Sequence, residues 1–151
     1  MKTTMKKVAA IVMVSAMALA MAACKKGAKK VSVDDFKKAC EEVGLTVTEG
    51  SEEGLKQSIG AKNEDDSLDV SYMQAESTDD AKKGFEYFTS SVDSLEAMGA
   101  TVDKSSTKIE AEVEGTMFMY AVRADDTIIT ISASGEEQVN TAKDLVKKLG
   151  I

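Results

Sequence analysis

Spaced by its apolar and polar positions, the chain alternates between a helical period and a period of two. In VSVDDFKKACEEVG, Val33, Phe36, Cys40 and Val43 recur at helical spacing with Ala39 beside them, which predicts a first helix. Ser32 stands as its N-cap, Asp34 and Asp35 fill the acidic first turn, and Gly44 closes it. STDDAKKGFEYFTSSVDSLEAMG carries Ala81, Phe85, Phe88, Val92 and Leu95 on one stripe and stops at Gly99. Gly84 weakens that helix by up to about 1 kcal/mol relative to Ala without breaking its pattern. EEQVNTAKDLVKKLGI repeats the device: Val139, Ala142, Leu145, Val146 and Leu149 face inward, with acidic residues at the start and Lys147 and Lys148 near the end.

Between the helices the period changes. In KIEAEVEG, Ile109, Ala111 and Val113 alternate with Glu110, Glu112 and Glu114, predicting a half-buried strand with a wet acidic face. TMFMYAV is apolar on both sides and reads as a central strand covered from both. TIITISAS follows an ADD turn, LKQSIGAKN and SLDVSYMQA form a weaker hairpin, and LTVTE is a short edge strand. The expected fold is α+β, in the order α-βββ-α-βββ-α: a mostly antiparallel sheet of five to six strands with three helices against it. A faint repeat runs through it. VGLTV (residues 43–47) matches MGATV (residues 98–102), and Ala61 and Ala121 each precede an Asp-Asp pair, at Asp65-Asp66 and Asp125-Asp126. Internal duplication and convergent helix and turn grammar both account for such identities.

The first residues follow a different plan. MKTTMKK, with Lys2, Lys6 and Lys7, leads into an uncharged run of 16 residues, Val8 to Ala23. A basic stretch followed by an apolar one is the layout of a secretory signal, and a spanning helix needs about 20 apolar residues. The run ends in Met21, Ala22, Ala23 and Cys24 and then turns to lysines. This segment resembles the lipobox of bacterial lipoproteins, with Met21 where Leu is usual. The resemblance implies cleavage between Ala23 and Cys24 and a diacylglycerol on the Cys24 thiol, and it covers only the first 24 residues. The expected organisation is a signal peptide over 1–23, a lipidated basic tether over 24–31 and one acidic domain over 32–151.

Charge sharpens this division. The whole chain has a formal charge of −7, yet residues 31–151 hold 12 basic against 26 acidic residues, a charge of −14. Lys25, Lys26, Lys29 and Lys30 form a basic collar beside the expected lipid, where each lysine gains about 1 kcal/mol near an anionic surface. The acidic body is a poor match for nucleic acid, which needs a basic face. With Cys24 lipidated, Cys40 is the one remaining thiol, and its place on the apolar stripe makes it a buried small hydrophobe.

Candidate chemistry is sparse. The chain has no histidine, hence neither a Ser-His-Asp nor a Cys-His arrangement, and no phosphate-cradling glycine loop. Asn63, Asp65, Ser67 and Asp69 have the odd spacing of a calcium loop, but Leu68 stands where such a loop needs Gly and Gln74 where it needs Glu. A turn built by Asp and Asn side chains explains the same residues. Met117, Phe118, Met119 and Tyr120 either line an apolar pocket or fill a central strand.

No cofactor is expected and no catalytic residue is assigned. The expected role is a lipid-anchored, non-enzymatic binding or accessory module on the extracytoplasmic face of a bacterial membrane. It would engage the membrane through Cys24 and an unidentified ligand or envelope protein. The alternatives are an interaction, inhibitor or sensor domain docking through a sheet edge, and, behind both, a hydrolase working through carboxylates.

Overall fold

The computed structural model describes residues 28–151. Seven strands form one sheet, and every neighbouring pair is antiparallel. In chain order the elements are α1 (Val33–Glu42), β1 (Thr46–Gly50), β2 (Leu55–Lys62), β3 (Leu68–Ala75), α2 (Thr78–Ala97), β4 (Thr101–Lys104), β5 (Lys108–Val113), β6 (Met117–Ala124), β7 (Thr127–Ser134) and α3 (Glu136–Leu149). The sheet order is β1-β2-β3-β7-β6-β5-β4, two meanders that meet where β3 pairs with β7.

The fold is α+β with three helices. The sheet has one strand more than the five to six expected, because Thr101–Lys104 pairs with β5 as a short outer strand. Its four residues include Asp103 and Lys104, so no apolar alternation marks it. Such charged, short edges discourage pairing with foreign strands.

Period-two patterning divides the sheet into two apolar faces. On the front, Ile59 and Ala61 of β2, Leu68, Val70 and Tyr72 of β3, Ile129, Ile131 and Ala133 of β7, and Phe118, Tyr120 and Val122 of β6 form one core with α1 and α3. Phe36, Ala39 and Cys40 from α1 meet Val139, Ala142, Leu145 and Leu149 from α3 above them. On the back, Ala81, Phe85 and Val92 of α2 cover Ala75, Ile109, Ala111, Ala121 and Ile128. Each fully buried large side chain contributes about 1.5–3 kcal/mol through burial. The strand β6 is thus apolar on both faces because helices cover both.

The helix ends follow their residues. Ser32 Oγ accepts from Asp35 N at 3.1 Å, and Ser77 Oγ accepts from Asp80 N at 3.1 Å. Gly44 and Gly99 leave α1 and α2 with φ of +81° and +95°, which residues with a Cβ rarely adopt. Gly84 faces the sheet: a Cβ there would stand 3.3 Å from Ile128 Cδ1, so the missing side chain lets α2 lie close.

The faint repeat does not extend into the geometry. Ala61 lies in the front core and Ala121 in the back one. The following helices, α2 and α3, also lie on opposite faces. A twofold axis relating two antiparallel neighbours runs normal to the sheet and would keep equivalent residues on one face. The turns differ too: five residues join β2 to β3, with Asp66 left-handed, and two join β6 to β7, with Asp125 left-handed. Duplication is not expressed as symmetry in this fold.

Candidate functional site

Met21, Ala22, Ala23 and Cys24 lie outside the described residues, as do Lys25 and Lys26. Ala28, the first described residue, packs against the front core, and Val31 is 4% exposed, at the level of a core residue. The buried Tyr72 hydroxyl donates to Val31 O at 3.4 Å. Residues 28–31 therefore lie on the domain, with their charged and apolar members used differently.

Lys30 turns to the far end of the β6–β7 turn. Its Nζ donates to Asp126 Oδ1 at 2.7 Å. Gln74 Nε2 donates to the other carboxylate oxygen at 2.9 Å, and Lys56 Nζ stands 3.7 Å from that same oxygen. Thr127 Oγ1 donates to Oδ1 at 3.2 Å, while the backbone carbonyl of Asp126 accepts from Ala75 N at 2.8 Å. These donors, Lys30 first, hold the Asp126 carboxyl well below the usual carboxylate range. The same hydrogen bond raises Lys30 above its ordinary value. Sequence reading found Asp126 as a turn residue only. Its partners come from β2, β3 and the N-terminal segment, and no local pattern signals that convergence.

Beside this clamp the N-terminal segment, α1 and the end of α3 enclose a groove of about 320 Å³, lined by Lys29, Val31, Asp35, Lys38, Glu42 and Lys148 among others. Lys148 Nζ donates to Glu42 Oε2 at 3.1 Å. Lys29 and Lys38 have no carboxylate within 4.0 Å among the described residues. A second hollow, about 380 Å³, lies over the outer strands and is lined by Thr101, Asp103, Glu110, Glu112 and Glu114. The three glutamates are not equally wet: Glu112 accepts from Lys143 of α3 at 2.6 Å, Glu110 pairs with Lys108 at 3.0 Å, and Glu114 stays exposed.

Asn63, Asp65 and Ser67 do come together, with their oxygens turned on one another. Asn63 Oδ1 accepts from Leu68 N at 2.9 Å, and Asn63 Nδ2 donates to Ser67 Oγ at 2.9 Å. Asp65 Oδ1 accepts from Ser67 N at 3.1 Å and from Ser67 Oγ at 2.5 Å. The Ser67 hydroxyl and amide lower the Asp65 pKa. Asp69 is on strand β3, opposite Lys62 and Ser132, and exposed. Among the described residues no group of three acidic or cysteine side chains is placed to hold a metal.

The Met117–Tyr120 run is split by its own pleat. Phe118 and Tyr120 stack on the front at 6.2 Å, whereas Met119 is half-buried against the back core. Neither methionine lines either groove. Burial pushes the Cys40 thiol up to about 12, with Glu41 adding to the effect, and raises Tyr120 for the same reason. Arg123 Nε is buried with no acceptor, and its Nη2 reaches Ser106 O at 3.5 Å.

No described helix is long and apolar enough to cross a membrane. No protein-family model matches this chain, and no curated protein matches it.

Proposed function

We propose that this protein is a lipid-anchored, non-enzymatic binding or accessory module of the bacterial envelope, attached through Cys24 to the extracytoplasmic face of a membrane. The observation that carries the reading is the succession of signal, lipobox and lysine collar leading, within four residues of Cys24, into a segment fixed on a folded acidic domain. Such a chain has its attachment point directly beside its domain. The non-enzymatic part rests on how the ionisable groups are used: Asp126 clamps, Asp65 closes a turn, and Cys40 and Tyr120 are held neutral by burial. Replacing Cys24 with Ala and fractionating cells tests the anchor. Mature protein should leave the membrane fraction, and retention there would overturn the reading.

A second reading, docking of a protein partner through a sheet edge, is favoured by β1, which pairs on one side only within the described sheet and lacks the charged shortness of β4. An extended peptide adds to such an edge through main-chain hydrogen bonds. A photo-crosslinker at Thr48 should then trap the same partner as chemical crosslinking of the intact envelope, whereas crosslinkers at Asp103 and at the exposed helix residue Tyr87 should not.

A further inference from the structure

The groove between residues 29–31, α1 and the end of α3 lies a few residues from the expected lipid. Ala28 is packed on the front core, Val31 is buried and Lys30 is fixed to Asp126 at 2.7 Å. Cys24 precedes Ala28 by four residues, so even a fully extended chain holds the two Cα atoms within about 14 Å. The membrane surface must therefore meet the domain near this groove.

Its charge suits that neighbour. The domain as a whole is acidic, at −14 over residues 31–151. Among the described lysines, only Lys29, Lys38 and Lys82 have no carboxylate within 4.0 Å, and the first two line this one groove. Asp35 and Glu42 also line it, and Lys148 neutralises Glu42 at 3.1 Å. Two free ammonium groups thus line the groove beside the segment that leads back to the anchor. The far end of the sheet holds the Asn63–Ser67 turn with exposed Glu64, Asp65 and Asp66. It is removed from the Asp126 end by the length of an eight-residue strand, about 26 Å.

We infer that the Lys29–Lys38–Lys148 groove is a membrane-contacting surface that takes anionic phospholipid headgroups and holds the anchored domain in one orientation. The inference rests on the lipid anchor proposed above. Lysines within about a Debye length of an anionic surface, some 8–10 Å, are attracted to it, while the acidic far end is repelled.

The test uses mature, lipidated full-length protein in vesicles, with a nitroxide label at Asp34→Cys, exposed on α1 outside the groove lining, or at Glu64→Cys, and a paramagnetic nickel chelate on the lipid headgroups. Cys40 is buried and stays unlabelled. On vesicles rich in phosphatidylglycerol, relaxation at position 34 should exceed that at position 64 by about threefold or more, since position 64 lies at the end of the sheet about 26 Å from Asp126. The Lys29→Gln/Lys38→Gln variant, labelled at position 34, should lose most of that contrast, as should vesicles of phosphatidylcholine alone. Equal relaxation at the two positions overturns the orientation. A contrast that persists on neutral vesicles overturns headgroup recognition, leaving chain length alone as its cause. A contrast that requires dense protein marks a second copy as the occupant and overturns the proposal too. Failure of the anchor is read separately, by protein that does not associate with the vesicles at all.

Discussion

Lys30 Nζ and Asp126 Oδ1 lie 2.7 Å apart across 96 residues of chain, joining the N-terminal segment to the turn between the two strands nearest the sheet's centre on the C-terminal side. The contact makes the first described residues part of the domain's architecture.

Its loss is measurable. Asp126→Asn should cost about 1.5–3 kcal/mol at pH 7, the range for hydrogen bonds to a charged group. The carboxyl is depressed below its ordinary 3.8 in the folded state. Its contribution is therefore complete above about pH 4, the unfolded value, and falls away as pH drops toward the folded one. Denaturant titrations should show wild type losing more stability below pH 4 than Asp126→Asn does.

Cys40 should be inert in the native protein. Its thiol lies in the front core and is pushed up to about 12 by burial. Ellman's reagent at pH 8 should react only after unfolding, with a rate that follows the opening of the fold. A folded pKa above the unfolded value of 9.0 also means that this group favours unfolding as pH rises past 9.0. Cys40→Ala should flatten the alkaline loss of stability. Fast labelling of native protein at pH 8 would show the site to be open.

Gly84 separates two opposing effects. Gly to Ala in a helix interior gains up to about 1 kcal/mol in propensity, but a Cβ meets Ile128 Cδ1 at 3.3 Å. Ile128 Cδ1 is the end of a flexible side chain, so Gly84→Ala should change stability by less than about 1 kcal/mol. Gly84→Leu has no room to relax and should cost about 1–3 kcal/mol, as overfilled contacts do. Thermal denaturation of the two variants decides it.

The Asn63–Ser67 turn should behave as structure. Asn63→Ala removes the acceptor of Leu68 N and the donor to Ser67 Oγ, at about 1–2 kcal/mol. Asp69→Ala, on an exposed strand position, should stay within about 0.5 kcal/mol. Calcium added calorimetrically up to about millimolar should give no saturable heat, and heat that saturates would return these oxygens to ligand duty.

Local signals in the sequence were reliable where one element is marked by its own residues. Ser32 and Ser77 cap their helices, Gly44 and Gly99 end them, and Cys40 lies on the buried stripe. The short strand Thr101–Lys104 escaped because charged, half-wet residues at an edge leave no period to read. Glu110 and Glu112 read as plain solvated positions, yet α3 brings Lys143 over Glu112, a contact 31 residues apart. Asp126 is the larger case. Its identity suits a turn, and only the topology shows that Lys30, Lys56 and Gln74 all arrive there. The Lys29–Lys38 groove was equally hidden, since its lysines belong to separate elements and are distinguished by the ion pairs they do not form.

The sheet order bears on the sequence in which the domain is assembled. β7, the last strand in the chain, lies in the interior and bridges the two meanders, pairing Val70 with Ile131 and Tyr120 with Ile131. Residues about sixty positions apart must meet before the sheet is whole, and long loop closures of this kind slow folding. Until β7 emerges, β3 and β6 each lack a neighbour, and the front core lacks the floor on which α3 rests. A chain emerging residue by residue is thereby kept from completing its sheet until β7 is free to pair with β3 and β6.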